Sequence, residues 1–237
     1  MNNEIPATAL VTGAASGMGK AVAKHFIEQG WQVIAVDLAF NEQVHQGLQR
    51  TVICDIAKEG ELIEEIATAL QDAPPLKAVI NAAGIFPTSS LSTYNEALYR
   101  RIFDVNVLGS LNTVRACRPY LVESGGGNII LFASVDAFAV SNNQLLYCAS
   151  KAAVVALTRS LAIELASENI GVNAVAPGWV ETEGTLAGGR IQHMISQIPL
   201  GRAAKPSEIA EWVWHLASKP SYITGETLCI AGGSFMR

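Results

Sequence analysis

Tyr147 and Lys151 lie four residues apart in the stretch Leu146-Tyr147-Cys148-Ala149-Ser150-Lys151-Ala152-Ala153. On a helix that spacing puts both on one face, about one turn apart. An ammonium close to a phenol favours the phenolate and lowers a tyrosine from its ordinary pKa of about 10. A phenol tuned downward can give or take a proton near neutral pH, as general acid–base chemistry requires. Ser134 lies thirteen residues upstream of Tyr147, at the end of the strand-like run Asn128-Ile129-Ile130-Leu131-Phe132-Ala133. A serine hydroxyl is a hydrogen-bond donor of the kind that can polarise an oxygen gaining charge.

The elements that must position these groups read as alternating strands and helices. Ala7-Thr8-Ala9-Leu10-Val11 suits a buried parallel strand. It runs through Thr12-Gly13-Ala14-Ala15-Ser16-Gly17-Met18-Gly19 into a helical stretch, Lys20 to Gln29. Strand, glycine-rich turn and helix start form an anion site for a pyrophosphate. The residues concerned are Gly13, Ser16, Gly17, Met18 and Gly19. Trp31 to Val36 is a second strand ending in Asp37, an acid placed to accept from a ribose and to repel a 2′-phosphate. No Arg or Lys occurs in Leu38-Ala39-Phe40, or in the loop before Gly19, so the expected cofactor is NAD and not NADP. About fourteen residues then separate Leu38 from the strand Thr51 to Cys54, room for only a brief helix. Glu61 to Leu70 has helical apolar spacing, Ala78 to Ile80 is a fourth strand, and Leu98 to Leu121 is a long helix carrying Asn106 among apolar neighbours. Gly171 to Ala176 and Thr224 to Leu228 are the last two strands, and Pro206-Ser207-Glu208-Ile209-Ala210 opens the last main helix. Glu183 to Ile198, around Leu186 and His193, has little apolar periodicity and is expected to be a mobile lid over substrate.

These motifs together resemble the short-chain dehydrogenase/reductase family, of its compact kind, over nearly the whole chain. The resemblance rests on the TGxxxGxG loop of Thr12 to Gly19, on Asn81-Ala82-Ala83-Gly84, on Ser134 with Tyr147 and Lys151, and on Pro177-Gly178-Trp179-Val180-Glu181-Thr182. It implies an α/β fold, a doubly wound, Rossmann-like parallel sheet of about seven strands with helices on both faces. The dinucleotide would lie across the carboxyl ends of the strands. It makes Asp55-Ile56 the pair at the adenine, Asn81 to Gly84 the backbone against the cofactor, and Asn106 the catalytic residue holding a water on the proton path to Lys151. Pro177, Gly178, Val180 and Thr182 would support the nicotinamide half, and Lys151 would also hold its ribose. Transfer at the pro-S face of the nicotinamide and a homotetramer built on two long helices follow from the same resemblance. Ala231 stands where the family usually has Asp, a departure expected to affect local packing or a subunit interface.

The implied reaction is hydride transfer between NAD and a secondary alcohol or ketone, with a cyclic dihydrodiol or a hydroxy acid as possible substrate. An NADP-dependent 3-oxoacyl-carrier-protein reductase is the alternative within the family, with Asp37 against it. A lyase or epimerase using bound NAD, or a cofactor-sensing binding protein, would come from other classes. The candidate substrate residues are Phe86, Asp136, Phe138, Gln144 and Trp179. Asp136 either turns outward to cap a local turn or accepts a hydrogen bond from a second polar group on the substrate.

The composition fits that picture. Of 237 residues 50% are hydrophobic and 16% charged, enough for one α/β domain, 1–237, with a large core. A net charge of −5 without a basic block speaks against nucleic acid and anionic membranes. No apolar run approaches the roughly 20 residues of a membrane span, and the first residues lack signal-peptide character. Cys54, Cys117, Cys148 and Cys229 are scattered, which suggests reduced thiols in a cytoplasmic protein and no metal site.

Overall fold

The computed structural model describes residues 7–41, 50–187 and 190–236. Seven strands form one all-parallel sheet: β1 (Thr8–Thr12), β2 (Gln32–Asp37), β3 (Arg50–Ile53), β4 (Leu76–Asn81), β5 (Gly127–Phe132), β6 (Ile170–Pro177) and β7 (Thr227–Ile230). Their spatial order is β3-β2-β1-β4-β5-β6-β7. The chain order reverses between β1 and β4, and at such a switch point the loops after the strands part to leave a crevice. The boundaries that moved most from the sequence reading are those of β4, which begins two residues earlier, and β7, which begins three residues later. The brief helix expected before β3 falls mostly outside the described residues.

Both faces of the sheet are covered, which is why its strands read as continuous apolar runs. Alternation nevertheless sorts the side chains. Leu10, Ile34, Val36, Val79, Ile129, Leu131 and Ala174 join one buried cluster, with α2 (Glu59–Leu70), α4 (Gly109–Glu123) and α5 (Leu145–Leu165) packed over it. Ala9, Val11, Val33, Ala35, Ile80, Ile130 and Val175 join the other, beneath α1 (Gly17–Glu28) and α8 (Pro206–Ala217).

The long helix expected to carry Asn106 is interrupted. An α-helix, α3 (Glu96–Phe103), passes through a π-helical turn, Asp104–Leu108, into α4. There the Gly109 N–H bonds the Asp104 carbonyl five residues back. A Cβ on Gly109 would strike the Ile56 side chain at 2.6 Å, so glycine lets this helix close on the segment after β3. Such widened turns concentrate at functional sites. The segment from 183 onward holds two short helices, α6 (Glu183–Ala187) and α7 (Arg190–Met194), and then a 3₁₀ turn, Ile195–Gln197. Ile191 and Ile198 are buried.

Leu145–Glu168 departs from the expectation that no segment suits a membrane, since by length and composition it is apolar enough to cross one. Half of it is buried inside this fold and it carries Lys151, as the core helix of an α/β sheet does.

Candidate active site

The glycine loop is a backbone surface. Gly13 and Gly17 have φ of +67° and +53°, where a side chain would be strained. A Cβ on Gly19 would lie 2.1 Å from the Gly13 carbonyl, and one on Gly13 would lie 2.7 Å from the Ala83 N–H. The first helical turn therefore folds back on its own loop, and Ala82 and Ala83 lie against it. Ser16 is the N-cap of α1 but its side chain does not cap the helix, so its exposed hydroxyl is available to a ligand. The Asp37 carboxylate accepts from Ala15 N–H at 2.9 Å and from Leu38 N–H at 2.7 Å. These bonds fix an acceptor at the carboxyl end of β2, beside the loop. A backbone cradle that side chains would fill, with a fixed carboxylate at its edge, fits a dinucleotide, with pyrophosphate at the start of α1 and ribose at Asp37.

Two residues expected at the cofactor have their side chains taken up within the fold, so their part there would fall to the backbone. The Asn81 side chain is buried and accepts from the Thr12 and Thr113 hydroxyls while donating to Ser110. It pins β1, β4 and α4 together and leaves only backbone to face the crevice. The Ile56 side chain is likewise buried, and its carbonyl accepts from Asn112. One Asp55 oxygen accepts from Ala57 N–H and holds the turn after β3.

At the other side of the crevice, Ser134 follows β5 in extended conformation and caps a 3₁₀ turn, Val135–Ala137, by accepting from Asp136 N–H at 3.1 Å. Tyr147 and Lys151 share a face of α5, with the Lys151 ammonium 5.8 Å from the Tyr147 ring centre. Lys151 is 5% exposed and donates to the Phe132 carbonyl at 2.6 Å. A Cβ on Gly84 would lie 3.3 Å from both Lys151 Nζ and Asn106 Oδ1, so the three residues meet. Both amide hydrogens of Asn106 are used, on the Ile85 carbonyl and on Ser150, and its carbonyl accepts from Ile85 N–H with one lone pair left over. The side chain braces the strand-end loop against α5.

The expected lowering of the tyrosine does not occur in the protein alone. Tyr147 keeps partial exposure as a residue, but burial around its hydroxyl pushes its pKa up to about 12, while hydrogen bonding with Ser134 pulls the other way. Burial brings Lys151 down to about 8. The ammonium sits by the ring and spends a donor on Phe132, so desolvation outweighs its attraction for a phenolate. At neutral pH the phenol is protonated, the form that delivers a proton to an oxygen gaining negative charge.

Between Tyr147, Ser134 and the end of β6 opens a cavity of about 310 Å³. Four of the five expected substrate residues line it: Phe86, Asp136, Gln144 and Trp179. Phe138 does not, because the 3₁₀ turn directs it onto Phe235, stacked at 5.4 Å. Phe235 lines the cavity instead, and its one mark in the sequence is an aromatic ring just beyond Gly232-Gly233-Ser234. Met194, Gln197 and Ile198 reach the cavity from the expected lid, whereas Leu186 is exposed and the His193 side chain lies outside those described. Pro177, Gly178, Val180 and Thr182 form the remaining rim, with Thr182 touching the position of Gly17. Ala231 packs against Gly178, where a Cβ would come within 3.1 Å of it.

A family model described as enoyl-(acyl carrier protein) reductase matches residues 13–234. The chain is 35% identical to the 3-oxoacyl-[acyl-carrier-protein] reductase FabG of Thermotoga maritima, over 94% of this chain and 96% of that protein. It is also 35% identical to an uncharacterized oxidoreductase of Methylorubrum extorquens, over 95% and 96% of the two chains. Among solved structures it resembles an actinorhodin polyketide ketoreductase with NADPH, with TM-score 0.88, 26% identity and 97% of each chain covered. ElxO with NADP bound has the same fold, with TM-score 0.88 at 23% identity over 98% and 99%.

Proposed function

The chain belongs to the short-chain dehydrogenase/reductase family and is an oxidoreductase; from that premise we propose that it uses NAD(H) to interconvert a secondary alcohol and a ketone. The observation that carries the chemistry is that Ser134 and Tyr147 line one cavity together with Met18 of the glycine loop and Thr182, with Lys151 buried beside the Tyr147 ring. When bound, the nicotinamide supplies the hydride. Tyr147 gives its phenolic proton to the substrate oxygen in reduction and takes one back in oxidation. Ser134 donates to the same oxygen and holds it in place. Lys151, buried beside the ring, supplies positive charge and replaces the proton, and Asn106 keeps the loop carrying Gly84 and Ile85 at the right distance.

Support for NAD comes from Asp37. Its carboxylate is anchored by two backbone N–H groups and cannot swing away from a 2′-phosphate without losing both. The two solved neighbours carry NADP or NADPH, so the cofactor is the first thing to measure. The test compares kcat/KM for NADH and NADPH on cyclic hydroxyketones, keto acids and 3-oxoacyl thioesters. A preference for NADPH with a thioester as the best substrate would replace this reading with that of a 3-oxoacyl-carrier-protein reductase, the activity named for the Thermotoga relative. NADH binding without turnover of any carbonyl compound would instead point to a cofactor sensor.

We place the enzyme in the cytoplasm, with four cysteines that form no disulfide among the described residues as support. Assembly as a homotetramer through α4 and α5 is supported by Leu108, Val122 and Ile163, apolar residues exposed on and beside these helices. Light scattering at several protein concentrations tests the assembly.

A further inference from the structure

The segment between Ser134 and Tyr147 gives the cavity a wall with an excess of hydrogen-bond acceptors. Gln144 is 8% exposed, and its backbone is held by Ser141 and Cys148. Its side-chain carbonyl oxygen is buried without a partner. An unmet buried acceptor is destabilising, so a site retaining one is built for a ligand that meets it. Asp136 lines the same cavity and accepts from the Ser141 hydroxyl at 2.6 Å. Among the described side chains lining the cavity, it is the only carboxyl group; burial raises its pKa and the Ser141 bond opposes that rise. Its field reaches the chemistry, since it helps to raise the pKa of Tyr147. The remaining lining is largely apolar, with Phe86, Trp179, Met194, Ile198 and Phe235.

Resting on the alcohol–ketone chemistry proposed above, we infer that the substrate carries a hydrogen-bond donor beside the reacting carbinol, a hydroxyl or a protonated amine, received by Gln144 Oε1 and the Asp136 carboxylate. A methylene at that place leaves the Gln144 carbonyl unpaired. A carboxylate there adds repulsion from Asp136 in a poorly solvated site. A site made to pair with a polar group rejects the analogue lacking it far more strongly than an apolar pocket distinguishes sizes. The substrate class is therefore a vicinal diol or amino alcohol on a compact apolar frame, and hydroxy acids are excluded.

The test uses the full-length enzyme with NAD and four matched alcohols: cyclohexanol, a vicinal cyclohexanediol, a vicinal aminocyclohexanol and a hydroxycyclohexane carboxylate. NADH formation gives kcat/KM, and calorimetry on the enzyme–NADH complex gives the affinity of each compound independently of turnover. Wild type is expected to favour a donor-bearing compound over cyclohexanol by at least about tenfold. That ratio should fall towards one in Gln144→Leu and in Asp136→Ala. Asp136→Asn separates the two donors, because removing the charge harms an ammonium more than a hydroxyl. Equal values for cyclohexanol and both donor compounds in wild type would overturn the inference. So would a preference that survives every variant, or the carboxylate as best substrate. If no compound is oxidised, the reaction class is at fault; donor-dependent binding that Gln144→Leu abolishes still upholds the inference, and its absence overturns it.

Discussion

At the glycine loop, a Cβ on Gly13 would lie 2.7 Å from Ala83 N–H and one on Gly19 would lie 2.1 Å from the Gly13 carbonyl. At the substrate rim, a Cβ on Gly184 would meet only the edge of the Phe86 ring, at 3.1 Å. In the first case backbone confronts backbone and nothing can give way. In the second a rotatable side chain faces a short, exposed helix. The dinucleotide half of the crevice is thus a surface of main chain, tolerating few sequences but serving one ligand shape. The substrate half is a set of side chains from separate segments, which can be exchanged without disturbing the sheet. Tyr147 and Lys151 stand where the halves meet, and the largest effects are expected there.

Tyr147→Phe keeps the ring edge-on to Phe86 and removes only the hydroxyl. Turnover should fall by about a thousandfold, within the usual span for a lost acid–base group. NADH affinity, read by fluorescence titration, should change little. A variant with near-native turnover would remove the catalytic assignment, and one that lost NADH binding would show that the two halves are not separable at this residue.

Lys151 tests the seam by stability. Its amine is brought from 10.5 to about 8 by burial, so between those values the unfolded chain binds the extra proton. Stability contributed by this group therefore rises as pH climbs through that window. Lys151→Met carries no such group, and subtracting its pH profile cancels the cysteines and tyrosines common to both proteins. Between pH 7 and about 9.5 the wild type should gain about 2 kcal/mol on the variant in urea unfolding of the cofactor-free protein. Parallel profiles would mean that the amine is not buried as a cation.

On the cofactor side alone, Asp37→Ser with Leu38→Arg removes the fixed carboxylate and offers a guanidinium to a phosphate. The NADH/NADPH ratio of kcat/KM should fall by about tenfold or more. An unchanged ratio would place cofactor choice outside β2.

The same contrast explains what the sequence could disclose. Glycines, Asp37, Ser134 and the Tyr147/Lys151 pair occupy places set by local chain geometry, so their spacing is enough to locate them. The strand runs were legible because burial on both faces leaves little but Val, Ile, Leu and Ala. For Asn81, Asn106 and Phe138 the element that carries each residue is legible, but its side-chain contacts are not. Their partners, Thr12, Ser110, Ile85, Ser150 and Phe235, come from distant segments that only the folded sheet brings together. The π turn at Asp104–Leu108 had no signal of its own, because it shifts one hydrogen-bond register inside an otherwise helical pattern. The rise in the Tyr147 pKa was missed for a related reason: spacing reveals a neighbouring charge, but not how much protein surrounds the hydroxyl.

One contact joins the two halves directly and carries the smallest expected effect. Glu183, first residue of α6, accepts from the Gly17 N–H at 3.0 Å, at the positive end of α1. The chain thus places its own carboxylate on a donor that a pyrophosphate requires. The contact is solvent-exposed, so its strength is modest, at most about 1 kcal/mol. It must nevertheless be broken, and the carboxylate moved away from two phosphates, before the loop can be filled. Glu183→Gln keeps the side-chain length and removes the charge. NADH should then bind about threefold more tightly at low salt, and the advantage should shrink as salt screens the repulsion. Phe86 and the cavity lining are untouched by the exchange, so the substrate-dependent ratios above should hold. Weaker NADH binding in Glu183→Gln would reverse the assignment, making the carboxylate a support for the bound cofactor and not its competitor. An unchanged affinity at every salt concentration would leave the rim and the loop as independent parts, and the comparison between the two halves would lose its one physical link through α6.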